Sequence, residues 1–144
     1  MPTQPPTIRK AGPDDLEAVY QMISALSNKT FDREDFSQVY TRNISSPDCF
    51  YCIAELEHKA IGFISLHIQQ LLHHCGPVGE IQEFYIDPDY RGKGLGKLLM
   101  NEIKSYATAQ GVKSLEVASN KRREENVAVY ERLGFQLSHN KFTR

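Results

Sequence analysis

No run of apolar residues in this 144-residue chain approaches the roughly 18 that a membrane span needs, and the opening Met1-Pro-Thr-Gln-Pro-Pro-Thr7 has neither the basic nor the apolar region of a secretory signal. A cytoplasmic address without a membrane partner is expected. An excess of one charge is missing too. Seventeen Lys plus Arg stand against eighteen Asp plus Glu, a net charge of −1, which removes the general attraction that nucleic-acid binders exploit, so no nucleic-acid partner is expected. Cysteine is scarce and odd in number (Cys49, Cys52, Cys75), which in a chain without secretion signals implies reduced thiols rather than a disulfide framework. There is also no internal repeat, low-complexity tract or heptad run.

What is present is the composition of a self-sufficient globule. The 40% hydrophobic and 10% aromatic content is ordinary for a folded domain and excludes disorder. At this length about 70% of the unfolded chain's surface is buried on folding, so neither disulfides nor a metal is needed to hold one domain together. The Pro-rich residues 1–7 read as a flexible tail and 8–144 as the domain.

Along the chain, residues 8–11 suit a short strand. Gly12-Pro13 is a break, and Asp14 with Glu17 resembles a capping box opening a helix with Leu16, Val19, Tyr20, Ile23 and Leu26 on one stripe. A second helix is predicted over 32–44. The β-rich runs 50–56 and 60–68 flank a turn-like Glu57-His-Lys59, the signature of a hairpin. Residues 69–79, polar with Gly and Pro, read as a loop, and 80–86 as a strand stopped by Asp87-Pro88-Asp89. Leu95, Leu98, Leu99, Ile103 and Tyr106 mark a third helix ending at Gly111. A strand over 113–118, a helix over 124–133 and a final strand starting at 135–137 complete the order. The fold class is α/β of the α+β type, a mixed, mostly antiparallel central sheet with helices on both faces.

The most informative stretch is Tyr90-Arg-Gly-Lys-Gly-Leu-Gly-Lys-Leu-Leu99, between a predicted strand and an amphipathic helix. Gly92, Gly94 and Gly96 let the backbone turn tightly and expose its amides at a helix N-terminus, while Arg91, Lys93 and Lys97 add positive charge. This is chemistry for a phosphate. The spacing fits neither a Walker A loop, which needs Ser or Thr where Leu98 stands, nor the dinucleotide G-x-G-x-x-G pattern.

Arg91, Gly94 and Gly96 do match Arg/Gln-x-x-Gly-x-Gly/Ala, and the segment resembles the acyl-CoA loop of the GNAT superfamily of N-acetyltransferases. Phe84-Tyr-Ile-Asp-Pro-Asp-Tyr-Arg91 is similar to the strand and turn before that loop, and Tyr130-Glu-Arg-Leu-Gly-Phe135 to the family's Tyr-x-x-x-Gly-Phe helix end. The resemblance covers nearly the whole chain. It implies acetyl-CoA as co-substrate, with the backbone of Phe84, Tyr85 and Ile86 pairing with the pantetheine arm and the amides of Gly92, Lys93, Gly94, Leu95, Gly96 and Lys97 holding the pyrophosphate. It also implies that Tyr130 protonates the departing thiolate. Where the family commonly has Asn seven residues before that Tyr, this chain has Arg123, and Asn120 is the expected substitute.

Acetyl transfer to an amine requires a group that takes a proton. Glu80 and Glu83 stand on the strand leading into the loop; residues three apart on a regular strand face opposite sides, so one faces the substrate unless a bulge intervenes, with Glu80 sharing its face with Gln82, Phe84 and Ile86. Each sits at a position where members of the superfamily carry acidic groups. The alternative for both is a solvated strand carboxylate, and for Tyr130, on a stripe with Val127 and Leu133, plain core packing.

His67, His73, His74 and Cys75 gather near the predicted hairpin end, and Cys49-Phe-Tyr-Cys52 has a ligand-pair spacing; a regular strand would point those two thiols apart, and no second compact pair follows. Lys121-Arg-Arg123 reads as a solvated loop or a CoA-side charge patch. Leu66-His-Ile-Gln-Gln-Leu-Leu-His-His74, Gly79-Glu-Ile-Gln-Glu83 and Ser138-His139 with Phe142-Thr143 resemble aminoalkylphosphonate N-acetyltransferases. This implies a small aminophosphonate as acceptor, His73 and His74 as substrate-binding groups, and a divalent metal assisting. The alternatives are a polyamine, aminoglycoside or protein amine as acceptor, a CoA-sensing module without turnover, or a zinc-bound interaction domain. The oligomeric state stays open, a homodimer included.

Overall fold

A computed structural model describes residues 4–119 and 125–144. The strands β1 (Thr7–Lys10), β2 (Cys49–Leu56), β3 (Lys59–Leu71), β4 (Gly76–Ile86) and β5 (Ser114–Val117) lie side by side in chain order. All neighbours are antiparallel except β4 and β5, which are parallel. The helices α1 (Leu16–Ser27) and α2 (Arg33–Ile44) cover one face, α3 (Leu95–Ala109) covers the other, and α4 (Glu125–Arg132) follows β5.

Local chemistry accounts for the element ends. The turn before α1 is closed by Asp15, whose carboxylate accepts the Gly12 amide at 2.7 Å, so Asp15 does the work expected of Asp14 and Glu17. Asp32 caps α2 by accepting the Asp35 amide at 2.9 Å, and Asn28 ends α1 in the left-handed conformation, φ 53°. Tyr40 donates to the Gly12 carbonyl at 2.6 Å and Tyr20 to the Phe31 carbonyl at 2.7 Å, so both buried hydroxyls are satisfied while they tie the two helices to the turns beside them.

Two clusters form the core because β2 and β3 are covered on both faces, which is why they read as nearly continuous apolar runs. Val19, Ile23, Tyr40, Tyr51, Ile53 and Phe63 fill the α1–α2 side; Cys52, Ala54, Ile64, Leu66, Ile81 and Leu99 fill the α3 side. Cys49 belongs to the first cluster and Cys52 to the second, so the C-x-x-C pair points to opposite faces.

Three expectations need correction. Residues 69–79 are not a loop: β3 runs on to Leu71, the turn is only the 3-10 turn Leu72–His74 closed by Cys75, and Gln69, Gln70 and Leu71 pair with Val78, Pro77 and Gly76. A backbone ladder does not require apolar side chains, and Gln69 and Gln70 are exposed on it. No strand forms at 135–137. The end of α4 closes as a Schellman motif, with the Gly134 amide on the Glu131 carbonyl at 3.0 Å and the Phe135 amide on the Tyr130 carbonyl at 2.9 Å, which turns Phe135 back onto the α3-side core. Thr7, placed in the tail, is the first residue of β1 and pairs with Glu55.

Candidate active site

The parallel pairing of β4 with β5 spans only Val78 to Ile81 against Ser114 to Val117. Beyond Ile81, β4 continues to Ile86 paired with β3 alone. Backbone groups alternate along a strand, and because the Asp87 amide bonds the Ile61 carbonyl on the β3 side, those of Tyr85 also face β3 while those of Phe84 and Ile86 face the opening between the parted strands, where an extended arm can take the place of a strand.

The same stretch carries a β-bulge. Ser65 is paired with Glu83 but Leu66 with Ile81, so Gln82 is the extra residue. This overturns the regular-strand reading of the glutamates. Cross-strand partners share a face, and Ser65 and His67, two apart on β3, are the partners of Glu83 and Glu80; both carboxylates thus project from the α1–α2 side of the sheet. Phe84 and Ile86, expected beside Glu80, pack instead with Ile81 on the α3 side.

The polar face that results reaches across four strands. Its first row is Tyr51, Ser65 and Glu83; its second is Cys49, His67, Glu80 and Glu116. Ser65 is fully buried, donates its hydroxyl proton to Glu83 Oε1, and accepts the Glu83 amide at 3.0 Å. Glu80 accepts from the Gln82 side chain. His67 lies 3.5 Å from the Cys49 thiol and 3.3 Å from the Tyr51 hydroxyl, and Asn43 of α2 donates to that hydroxyl at 2.7 Å. Burial pushes the Tyr51 phenol up to about 12, with the Asn43 hydrogen bond opposing, and raises the Cys49 thiol as well. At the hairpin turn His73 and His74 stand with ring centroids 4.4 Å apart, and His74 Nε2 is 3.9 Å from Glu116, the parallel partner of Glu80. His67 is separated from them by the rest of β3. A cavity of about 80 Å³ between the helices and this face is lined by Phe36, Tyr40, Tyr51, Phe63 and Glu83 among others.

The glycine loop opens α3. Gly92 and Gly94 have φ of 78° and 83°, values that other residues adopt with strain, and Gly94 is the N-cap. The first intrahelical bond of α3 is Leu98 to the Gly94 carbonyl, so the amides of Leu95, Gly96 and Lys97 in the first turn are available to an anion. Gly96 lies against β4: a Cβ there would meet Phe84 Cζ at 3.3 Å. Arg91 turns back, its Nε donating to the Ile86 carbonyl at 2.9 Å and its guanidinium 5.9 Å from the Tyr85 ring centroid, which fastens the loop to the end of β4. Lys93 lies over Tyr90 at 5.5 Å, and Lys97 is exposed.

Tyr130 stands on the last turn of α4, its ring centroid 6.4 Å from Phe84 and 6.1 Å from Phe135. The Schellman close explains the Tyr-x-x-x-Gly-Phe spacing: Tyr130 and Phe135 are the two residues that such a close brings into contact across a left-handed glycine, Gly134 at φ 98°. The ring is thereby held beside β4 past the point where β5 departs. Asn120 and Lys121-Arg-Arg123 lie outside the described residues. Among the described residues no three His, Cys, Asp or Glu side chains converge in a way that holds a metal ion, so the expected divalent metal has no preformed cage there. No helix of the described residues is long and apolar enough to cross a membrane. Sequence reasoning missed Ser65, Tyr51, Asn43 and Glu116; alternation along β3 pairs Ser65 with His67, but only the bulge aligns them with both glutamates.

A sheet whose parallel strands part beside a glycine loop at a helix N-terminus is built to take an acyl-CoA thioester. The chain belongs to the acetyltransferase (GNAT) family, whose model matches residues 16–135, and it is an N-acetyltransferase of the kind that uses acetyl-CoA. It is 32% identical over 137 residues to the aminoalkylphosphonate N-acetyltransferase of Salmonella typhimurium, an alignment covering 95% of this chain and 89% of that protein. It is 24% identical over 128 residues to glucosamine 6-phosphate N-acetyltransferase 1 of Dictyostelium discoideum, covering 85% and 80%. Among solved structures, an aminoglycoside N-acetyltransferase in complex with CoA superposes with a TM-score of 0.88 at 18% identity, covering 97% of this chain and 93% of that one. The glucosamine-6-phosphate N-acetyltransferase of Arabidopsis thaliana gives 0.83 at 22%, covering 98% of each.

Proposed function

We propose that this enzyme acetylates the primary amine of a small molecule that also carries a phosphorus oxyanion, an aminoalkylphosphonate by preference. The observation that carries the reading is the single polar face on which Glu80 and Glu83 stand at the parting of β4 and β5, with His74 beyond Glu116 on the same side. An ammonium requires carboxylates at one end of its site and an oxyanion requires donors at the other. A polyamine would require acidic groups at both ends. The 32% identity to the Salmonella enzyme supports the same class.

In this reading the amides of residues 92–97 cradle the pyrophosphate, Lys93 and Lys97 add positive charge, and Arg91 keeps the loop docked on β4. The open edge of β4 over Phe84, Tyr85 and Ile86 pairs with the pantetheine arm. The co-substrate supplies an acetyl thioester. Glu83, oriented by Ser65, and Glu80 beside it bind the acceptor's ammonium and take one proton from it; the freed amine attacks the thioester carbonyl, Tyr130 gives its proton to the departing sulfur as the C–S bond breaks, and the second proton, shed by the nitrogen as the amide forms, restores Tyr130. His73 and His74 hold the oxyanion.

Competition in one pot among 2-aminoethylphosphonate, glucosamine 6-phosphate and spermidine, with acetyl-CoA limiting, tests the acceptor. The aminophosphonate is expected to carry the largest kcat/KM, and His73→Ala or His74→Ala to reduce it more than that of a matched uncharged amine. Preference for spermidine, or histidine variants that affect both amines equally, overturns the assignment.

A further inference from the structure

The polar face holds titratable groups that acetyl transfer as described above does not use, and His67 is the central one. His67 stands directly across from Glu80 and two pairs along from Ser65 and Glu83, on the same face. Both ring nitrogens are engaged, Nδ1 with the Cys49 thiol and Nε2 with the Tyr51 hydroxyl. The Asn43 side-chain amide donates to the Tyr51 oxygen, so that the Tyr51 proton is free to point at Nε2 in the tautomer that carries its proton on Nδ1, the one a relay through Tyr51 requires. Such a ring presents a base at the end of a hydroxyl. Tyr51 is in turn the cross-strand neighbour of Ser65, and it lines the same cavity as Glu83, whose volume of about 80 Å³ admits a few water molecules.

We propose that His67 is the terminal proton acceptor of the reaction, receiving through Tyr51 the proton that Glu83 removes from the acceptor's ammonium. The inference rests on Glu83 being the group that meets the amine. The proton balance is simple. The ammonium N–H bond breaks and Glu83 gains the proton; Glu83 passes a proton through cavity water to the Tyr51 oxygen as the Tyr51 O–H bond breaks and a new N–H bond forms at His67 Nε2. The net change is one neutral amine and one imidazolium, with Glu83 again ionised and Nδ1 still protonated.

The relay has a structural reason: it moves the proton off the carboxylate that meets the amine and across to β3, leaving Glu83 ionised for the next ammonium. Tyr51, whose phenol burial keeps protonated, conducts rather than stores. The charged and titratable groups around His67 are Cys49 and Tyr51 on β2 and Glu80 and Glu83 on β4, with Arg42 at the end of α2 and Asp48 before β2 on the Cys49 side. The half-buried ring stands on the carboxylate-bearing side of this set.

Profiles of kcat/KM against pH, with 2-aminoethylphosphonate varied and acetyl-CoA saturating, test the relay. The parent is expected to lose activity on the acid side. Both His67→Gln and Tyr51→Phe are expected to abolish that limb and to lower kcat about tenfold at neutral pH, with KM for acetyl-CoA unchanged. The Tyr51 variant retains the imidazole, so it reports on the path even if the His67 variant folds poorly. A parent-like profile in either folded variant overturns the relay, including the case where melting temperature falls and the profile does not move, which is the mark of a packing role. Glu83→Gln separates the two readings: full activity there removes Glu83 from the amine, whereas strong loss there beside unchanged profiles in the other variants removes only the relay.

Discussion

Gly94 shows how one residue can join fold and chemistry. At φ 83° it is the N-cap of α3 and, in the proposed function, part of the amide cradle, with nothing near its absent side chain, so replacement acts through the backbone alone. A β-branched residue there is strained by roughly 1–2 kcal/mol, and relief of that strain moves the amides. Gly94→Val is expected to weaken acetyl-CoA binding by about tenfold or more while the protein still folds; calorimetry on the folded variant measures this, and unchanged affinity removes the cradle. Tyr130 is the converse case, a ring fixed by Phe84 and Phe135 with its chemistry in one hydroxyl. Tyr130→Phe keeps the ring, so turnover is expected to fall about 10²-fold with acetyl-CoA affinity nearly intact. Steady-state turnover beside a binding isotherm distinguishes that outcome from simple packing, which would leave turnover alone.

At the scale of an element, the bulge in β4 matters most. Without Gln82 as an extra residue, carboxylates three apart would face opposite sides, one in the site and one under α3. With it, Glu80 and Glu83 share a face with Ser65 and His67, which the proposed function requires if both are to meet one ligand. Glu80→Gln and Glu83→Gln are each expected to lower kcat/KM, Glu83 more because Ser65 orients it, and the double variant to lose less than the sum of the two in free energy. A double-mutant cycle measures this directly; strict additivity would mean that the two side chains serve separate functions.

At the scale of the molecule, Arg9 gathers the N-terminal strand, the turn before α1 and the end of β2. Its guanidinium donates to both oxygens of Asp15 at 2.8 Å and to Glu55 at 3.0 Å. The hydrogen bond from Arg9 is the main reason that Asp15 stays below the usual carboxylate range, against the opposing effect of burial. A depressed carboxyl pKa stabilises the fold above its unfolded-state value, and that contribution is lost as pH falls through the folded-state value. Because the Arg9 side chain is 37% exposed, solvent screening limits the pair to about 1 kcal/mol or less. Asp15→Asn is thus expected to lower the melting temperature by a few degrees at pH 7 and by progressively less below pH 4. Thermal scans across that range check the sign, and a constant difference would mean that the ion pair is not responsible.

The sequence by itself determined the elements with strong local causes: the helical stripes, the hairpin of β2 and β3, the glycine loop at the head of α3 and the Tyr130 to Phe135 helix end. Each depends on period, on left-handed glycine or on hydrogen bonds within a few residues, so it can be read along the chain. Tertiary structure alone decided the rest. Gln69, Gln70 and Pro77 are poor strand residues taken singly, and only the β3–β4 ladder makes them strand. The strand expected at 135–137 fails because the Schellman close sends Phe135 into the α3-side core. The site's chemistry belongs to the same category: the facing of Glu80 and Glu83 is set by a register shift between strands distant in sequence, and a register exists only between partners.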